Sequence, residues 1–173
     1  MTVSSTMRRL PHPSLGPDQL SIFDRVAAGV RDFRFWDNVE SRRPEAETPS
    51  RPAERDDPIW RSWLRLRPQA TFDDPWIDAA RSIVFLDIQG WPAATRVHVD
   101  QVAQFVAPSL DLYVAFHEPA PADPWLLADG YCPVGVDGLL GWTGRLWSTQ
   151  GRLVPSGGGQ ALCRRLPERT KRD

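Results

Sequence analysis

The sequence predicts an α+β domain in which one apolar helix packs on a curved antiparallel sheet. A capped helix pattern occupies the middle of the chain, and strand patterns follow it almost to the end. An apolar fraction of 41% supplies one hydrophobic core, and 173 residues fit a single domain with short tails.

The N-terminal part of the chain alternates between weak patterns and polar linkers. Residues 1–18 are polar and contain Pro, so we expect a flexible tail. Helix-like spacing follows at 20–30, and Phe33 and Phe35 alternate with charged residues, which predicts a strand over 31–40. The charged, Pro-rich stretch 41–57 is predicted to be a loop within a domain that spans 19–167, before a basic tail at 168–173.

Residues 59–67 predict a half-buried strand. Leu64 and Leu66 share one face, whereas Arg65 and Arg67 share the other. The arginines either contact phosphate groups or belong to a solvated sheet face, and the second case is the commoner one.

The clearest helix begins at Asp73 or Asp74, which cap it, with Pro75 in the first turn. Gly90 is the predicted stop. The predicted buried stripe consists of Trp76, Ala79, Ala80, Ile83, Val84, Asp87 and Ile88. Since a buried carboxylate is costly unless it is paired, we expect Asp87 to face a loop or to bond to backbone near the helix end, and a place in a substrate pocket is the less common alternative.

Strand patterns dominate the chain from residue 110 onward. Four strands are predicted at 110–117, 125–131, 139–148 and 152–164, with a hairpin turn at 149–151. Three glycines at 157–159 interrupt the last strand, which predicts a bulge or a close approach by another group.

Charge and composition exclude several classes of function. A net charge of -1 gives no electrostatic footprint for nucleic acid or an anionic membrane, and no segment resembles a signal peptide or a membrane span. His98 and His117 have no partner at metal-ligand spacing, so we expect no metal and no cofactor. Cys132 or Cys163 could act as a nucleophile if it lay beside His117. The simpler interpretation is that both are buried thiols in a cytoplasmic protein.

Two segments resemble a known family. SLDLYVAFHEPAPADPWLLADG and GRLWSTQGRLVPSGGGQALCR resemble the C-terminal half of the acyl-CoA thioesterase II family, with its "(I/L)DH..(F/W)FHRP" strand, "..EWLLY" spacer and "DG.LVAS..QEG..R" hairpin. The resemblance runs over about 33–165 and is strongest after Ser109. It implies a hotdog fold, a curved antiparallel sheet around one long central helix. The family usually joins two such folds in one chain, so a single one implies a homodimer or a shortened relative.

The resemblance also implies a catalytic site, in which an Asp, a Gln and a Thr or Ser hold the water that attacks a thioester. Asp111 matches the Asp. Gln160 matches the Gln if the glycine run carries one inserted residue, and Gly159 takes that place otherwise. The hydroxyl position falls near Cys132 and Pro133, where no Thr or Ser stands.

Other positions of the motif differ from the family as well. The His of its "DH" pair is Leu112 here, and the His-Arg that follows the Phe is His117 and Glu118. Main-chain amides of Gly158 and Gly159 would polarise the thioester carbonyl, which makes them substrate-binding candidates together with Asp87.

Three functions follow as hypotheses. The first is a cytoplasmic acyl-CoA thioesterase of fatty acid metabolism that uses Asp111 and Gln160, with coenzyme A present only as part of the substrate. The second is a hotdog domain that binds acyl-CoA without hydrolysis, and the third is a dimerisation module with a Trp-rich surface. From spacing alone, the commoner case is that Asp111 is a strand-edge carboxylate in water and Gln160 an exposed polar residue.

Overall fold

The structure, a computed structural model, describes residues 34–44, 58–99, 105–119 and 123–165. The expected tails at 1–18 and 168–173, the helix-like spacing at 20–30 and most of the expected loop at 41–57 lie outside these residues. The described part consists of an antiparallel sheet and helices that pack on it, which confirms the predicted α+β class.

Six antiparallel strands form the main sheet in the order β1-β2-β5-β6-β7-β4. They are β1 (Val39–Arg42), β2 (Ile59–Leu66), β4 (Tyr113–Phe116), β5 (Leu126–Val136), β6 (Leu139–Ser148) and β7 (Leu153–Leu162). A separate two-stranded pair joins β3 (Phe105–Val106) to β8 (Arg164–Arg165). Among the described strands, β1 and β4 therefore form the edges of the main sheet.

Two tight turns connect the three central strands. The predicted turn at 149–151 is confirmed, since Gly151 N donates to Ser148 O at 2.9 Å and has a φ of 76°. A second hairpin joins β5 to β6 through Asp137 and Gly138, with φ angles of 50° and 79°. Asp-Gly with two positive φ angles is typical of a two-residue type I′ turn. The strand β5 runs up to this turn and therefore ends at Val136, beyond the predicted end at Tyr131.

The strand predicted over 31–40 is wrong at 34–38, and its first three residues lie outside the described residues. Arg34–Asn38 forms a 3-10 helix, and the strand begins only at Val39 and ends at Arg42, inside the stretch expected to be a loop. Trp36 packs against the core, and Phe35 meets it edge-on with ring centroids 5.0 Å apart. These two aromatic rings therefore pack against each other within the 3-10 helix, and their spacing does not indicate one face of a sheet.

The central helix α1 spans Pro75–Asp87 and begins where the sequence predicts. The Asp74 carboxylate caps it by accepting hydrogen bonds from Trp76 N at 2.8 Å and Ile77 N at 3.2 Å. The helix ends at Asp87, before the predicted stop at Gly90, and Gly90 instead begins a short second helix, α2 (Gly90–Ala94). A Cβ on Gly90 would lie 2.7 Å from the ring of Trp142, so glycine lets α2 approach the sheet.

The predicted buried stripe of α1 is only partly right, since Val84 and Ile88 pack against the core but other members do not. Trp76 is 84% exposed and Ile83 is 38% exposed, so this side of the helix faces away from the sheet. The buried residues of α1 are Asp78, Arg81, Ser82, Phe85 and Leu86. Phe85 and Leu86 supply the apolar contact, while the ion pair between Asp78 and Arg81 makes the polar end of this face tolerable in the interior.

The helices define the two faces of the sheet. We call the face that contacts α1 and α2 the inner face and the opposite one the outer face. The main core lies on the inner side and includes Leu64, Leu126, Trp142 and Leu146. A smaller cluster of Trp63, Trp125 and Leu127, with Trp147 packed on it, covers part of the outer face.

Candidate active site

Asp111 and Gln160 lie next to each other in space, although 49 residues separate them in sequence. The Asp111 Oδ1 atom accepts a hydrogen bond from the main-chain amide of Gln160 at 2.9 Å. The main-chain amide of Leu110 donates to the carbonyl of Gln160 at 2.8 Å. The two predicted residues are therefore in contact, and the contact uses the main chain of Gln160.

An irregular strand pairing explains why the Asp111 side chain reaches this amide. Tyr113 pairs with Gly158, whereas Ser109 pairs with Ala161. Three residues therefore face two across the gap between β4 and β7, as in a β-bulge. Within this irregular stretch the Asp111 carboxylate accepts the hydrogen bond of the Gln160 main-chain amide. Asp111 therefore has a structural role in holding the two segments together.

The amide side chain of Gln160 faces away from the helices. Gly159 is opposite Trp142, which is 3% exposed in the inner core, and Gln160 is opposite Gly141. Because side chains alternate along a strand, Gln160 points to the outer face, and it is exposed.

Gly159 occupies the inner-face position beside Asp111. A Cβ there would lie 2.3 Å from the Asp111 carbonyl oxygen and 3.0 Å from its Oδ1. Any side chain at 159 would therefore require the two strands to separate. The predicted close approach at the glycine run is confirmed, and the approaching group is the main chain before and within β4.

The glycine run also bears on the proposed carbonyl-polarising amides. Gly158 pairs with Tyr113 of β4 and with Thr143 of β6, so it lies inside the sheet with a strand on either side. Gly159 pairs with β6, and its neighbour Gln160 donates its amide to Asp111. The geometry thus assigns these residues to strand packing, and a contact with substrate remains a proposal.

The position of the third expected residue is filled by a buried thiol. Cys132 is 0% exposed, its thiol donates to Val134 O at 3.6 Å, and His98 Nε2 contacts its carbonyl oxygen at 2.9 Å. Burial raises the pKa of the Cys132 thiol to about 11. A thiol that stays protonated at neutral pH is a poor nucleophile, so Cys132 packs the core.

His117 is engaged away from both cysteines. Its Nε2 atom lies 2.8 Å from the Ser156 hydroxyl, where each group can donate or accept. The next residue, Glu118, forms an exposed ion pair with Arg152 at 3.8 Å. The considered Cys-His nucleophile therefore has no geometric basis at His117.

Asp87 joins the end of α1 to the segment that carries Asp111. Its Oδ1 atom accepts a hydrogen bond from the Ser109 hydroxyl at 2.6 Å. A carboxylate at a helix C-terminus is disfavoured by the helix dipole, and this hydroxyl offsets part of that cost. The expected backbone partner is replaced by a side chain, and Asp87 positions Ser109 two residues before Asp111.

Two further expectations concern metals and membranes. No group of His, Cys, Asp and Glu within the described ranges is arranged to hold a metal ion. No described helix has the length and apolarity needed to cross a bilayer.

A main sheet of six antiparallel strands packed on one long helix is the hotdog fold. Residues 11–157 match the family model described as the acyl-CoA thioesterase C-terminal domain. The chain belongs to that family, as the motifs after Ser109 indicated. No curated protein sequence matches the chain.

Solved structures agree with this fold. The acyl-CoA thioesterase II TesB2 from Mycobacterium marinum is similar at a TM-score of 0.60 and 22% identity, over 92% of this chain and 59% of that one. A candidate thioesterase from Novosphingobium aromaticivorans has a TM-score of 0.56 and 25% identity, and the match covers 75% of this chain and 44% of that one. Zebra fish thioesterase superfamily member 2 has a TM-score of 0.56 and 15% identity, and the match covers 82% of this chain and 92% of that one. The chain thus spans about half the length of the first two proteins.

Proposed function

We propose that this protein is an acyl-CoA thioesterase in which a water held by Asp111 attacks the thioester carbonyl. One observation carries the proposal. Gln160 N occupies Asp111 Oδ1, and within the described part of the chain Oδ2 accepts no hydrogen bond. A carboxylate that is fixed through one oxygen and exposed through the other is suited to take a proton from water. The fixed oxygen also limits side-chain rotation, so the second oxygen is held in place.

Gln160 contributes to this proposal through its main chain. Its amide orients the Asp111 carboxylate, whereas its side chain lies on the outer face. We propose that Gln160 positions the base, and that the substrate approaches from the side of Gly158, Gly159 and Asp87. Hydrolysis by one carboxylate, with no Thr or Ser near Cys132 and Pro133, is expected to be slow.

A second function, binding of acyl-CoA without hydrolysis, is favoured by Gly159. A Cβ at this position would clash with Asp111 O at 2.3 Å, so the inner side of the site cannot carry an amide side chain in this geometry. The water would then lack a second holder. This candidate keeps the fold and the substrate class and removes only turnover.

The partner we propose is a second copy of the chain. The edge strand β4 exposes Tyr113 at 60% and Phe116 at 54%, and no other described strand pairs with its outward edge. Pairing of two β4 strands would extend the sheet and cover these rings, placing the two Asp111 residues near the shared edge. We place the protein in the cytoplasm, in fatty acid metabolism, where its two free thiols stay reduced.

Hydrolysis of a panel of acyl-CoAs with different chain lengths tests the proposal. Asp111→Asn keeps an oxygen for the Gln160 amide but loses the base, so we expect turnover to fall by about 100-fold or more while the fold is retained. Asp137→Asn is the matched control, since Asn tolerates the positive φ of 50° in the distant turn.

Calorimetric titration with a non-hydrolysable acyl-CoA analogue separates the two candidates. Binding with no turnover by the native chain supports the binder. Equal turnover by Asp111→Asn and the native chain rejects Asp111 as the base, and no binding at all leaves the dimerisation module as the remaining hypothesis.

A further inference from the structure

A cavity of about 520 Å³ lies on the outer face of the sheet. It extends from Tyr113 on the edge strand β4 to Arg61 on β2, across the three central strands. Neither Asp111 nor Gln160 lines it. The cavity is separate from the proposed catalytic residue, because Asp111 is not part of its lining. Its volume falls within the range of about 300–1,000 Å³ that is usual for small-molecule sites.

Among the described residues that line the cavity, one carboxylate is shared between two arginines. Asp129 accepts from Arg61 Nε at 2.8 Å through one oxygen and contacts an Arg145 terminal nitrogen at 2.9 Å through the other. Its side chain is 12% exposed, whereas Arg145 is 54% exposed. The described lining of the cavity therefore contains two guanidinium groups and one carboxylate.

The carboxylate of Asp129 fixes both guanidinium groups while they stay accessible. A guanidinium has five N–H donors, and Arg145 directs one terminal nitrogen at Asp129. The remaining donors belong to a side chain that is 54% exposed and lines the cavity. Such a preordered arginine loses little freedom when it binds an oxyanion in a bidentate manner.

Hydroxyl groups complete a donor-rich lining. Thr143 and Ser156 lie on adjacent central strands, and Tyr131 lies on the next one. Tyr113 forms the wall at the edge, where its Oη atom lies 2.9 Å from the place of a Cβ on Gly158. These hydroxyls add neutral donors around the two arginines, and the Tyr131 ring with Ile59 offers an apolar wall.

A second basic group strengthens the local field. Glu40 accepts hydrogen bonds from Arg42, Arg65 and Arg67, and the guanidinium carbons of Arg42 and Arg65 lie 4.5 Å and 4.8 Å from the Trp125 ring centroid. Among the described residues, the two groups contain five arginines and two carboxylates, an excess of arginine in a chain whose net charge is -1. This excess attracts anions to the outer face.

We infer that this cavity binds a small organic phosphate, with the phosphate at Arg61 and Arg145 and its apolar part against Tyr131 and Ile59. A phosphate offers more acceptor oxygens than a carboxylate, and the lining presents arginine and hydroxyl donors on several sides. The cavity is larger than a free phosphate ion requires, so a substituent fills the remainder. The inference does not depend on thioester hydrolysis.

Isothermal titration of the full chain with phenyl phosphate and with inorganic phosphate tests the inference. We expect phenyl phosphate to bind, and Arg145→Ala to weaken its binding by about tenfold or more. Arg152→Ala is the matched control, because Arg152 is 43% exposed, pairs with Glu118 and does not line the cavity. Equal affinity for both probes would assign the site to free phosphate, which keeps the oxyanion site but rejects the apolar subsite.

Asp129→Asn provides an independent variant that moves binding in the opposite direction. Asn keeps one acceptor oxygen but removes the negative charge that competes with the ligand for both arginines, so binding should become tighter. Unchanged circular dichroism would confirm that the fold is kept. No binding by the native chain at millimolar concentration, or equal losses in Arg145→Ala and Arg152→Ala, would overturn the proposed site.

Discussion

The side-chain amide of Gln89 lies directly against the α-carbon of Gly144. A Cβ on Gly144 would be 2.6 Å from Gln89 Oε1, and one on Gly130 would be 3.1 Å from the same atom. Gln89 is 0% exposed, and its Nε2 donates to Phe85 O at 3.1 Å. Paired glycines on β5 and β6 therefore make the space in which the end of the helical segment contacts the sheet.

This contact predicts that Gly144→Ala destabilises the protein. The added methyl group meets a buried amide that cannot move into solvent, so we expect the free energy of unfolding to fall by about 1–3 kcal/mol. Urea denaturation measures it. Gly141→Ala is the control on the same strand, since its methyl would meet only a Val134 methyl group at 3.0 Å, on an exposed residue. Equal stability of the two variants would contradict the tight contact.

The buried ion pair of α1 leads to a second prediction. Arg81 contacts Asp78 at 3.0 Å and donates to Ala70 O at 2.9 Å and to Asp123 O at 2.7 Å. Arg81→Met leaves a buried carboxylate without its cation, so we expect a loss of about 3–5 kcal/mol. The double variant Asp78→Leu with Arg81→Met should recover part of this loss, and strictly additive losses in the urea-denaturation cycle would argue against coupling.

The same ion pair explains why the orientation of α1 could not be predicted from the sequence. Apolar residues occur on both sides of this helix, and a hydrophobic stripe with Trp76 and Ile83 is the more regular one. The helix instead buries Asp78 and Arg81, because distant loop carbonyls at Ala70 and Asp123 satisfy the guanidinium. Such partners are set by the tertiary fold and leave no local pattern.

Local signals with a direct physical cause were predicted well. The Asp74 cap, the turn at 149–151 and the tight approach at Gly159 each depend on a few neighbouring residues or on a missing side chain. The contact between Asp111 and Gln160 followed from the family resemblance, whereas its use of the Gln160 main chain depends on an irregular strand register that the sequence does not reveal.

Glu40 provides a pH-dependent prediction. Burial by itself raises the pKa of this carboxyl, but hydrogen bonds from Arg42, Arg65 and Arg67 outweigh it, and the pKa lies below the ordinary 4.5. A lowered pKa stabilises the fold above the unfolded-state pKa, and the contribution is lost as the pH falls through the folded-state pKa. Glu40→Gln should cost about 1 kcal/mol at neutral pH.

The difference between Glu40→Gln and the native chain should shrink as the pH falls below 4.5, the ordinary pKa of the carboxyl. Thermal or urea denaturation across this range measures it. Glu118→Gln serves as the control, since Glu118 is 52% exposed and 3.8 Å from Arg152. A difference that stays constant into acid would show that charge on Glu40 does not contribute.

The two thiols should differ in reactivity. Burial raises the pKa of both, to about 11 for Cys132, which is fully buried, while Cys163 is only half-buried. Because the thiolate is the reactive form, iodoacetamide at pH 8 should label Cys163 well before Cys132, and mass spectrometry resolves the two sites. Denatured protein, in which both should react at similar rates, is the control. Faster labelling of Cys132 would mean that the core opens locally.

The proposed dimer can be tested at the edge strand. Phe116 lies on β4 with 54% of its surface exposed, so in a dimer formed by pairing of two β4 strands its ring would be covered near the partner. Phe116→Lys places like charges on both sides of this edge and costs little in the separate chain, because the position is already exposed. We therefore expect light scattering to show a shift from dimer to monomer, with a rise of about tenfold or more in the dissociation constant.

Val136→Lys introduces the same charge at a residue 58% exposed at the end of β5, far from β4 in the strand order, and should leave the dimer intact. A native chain that is monomeric at all concentrations would reject pairing through β4, and loss of the dimer in both lysine variants would point to a general charge effect.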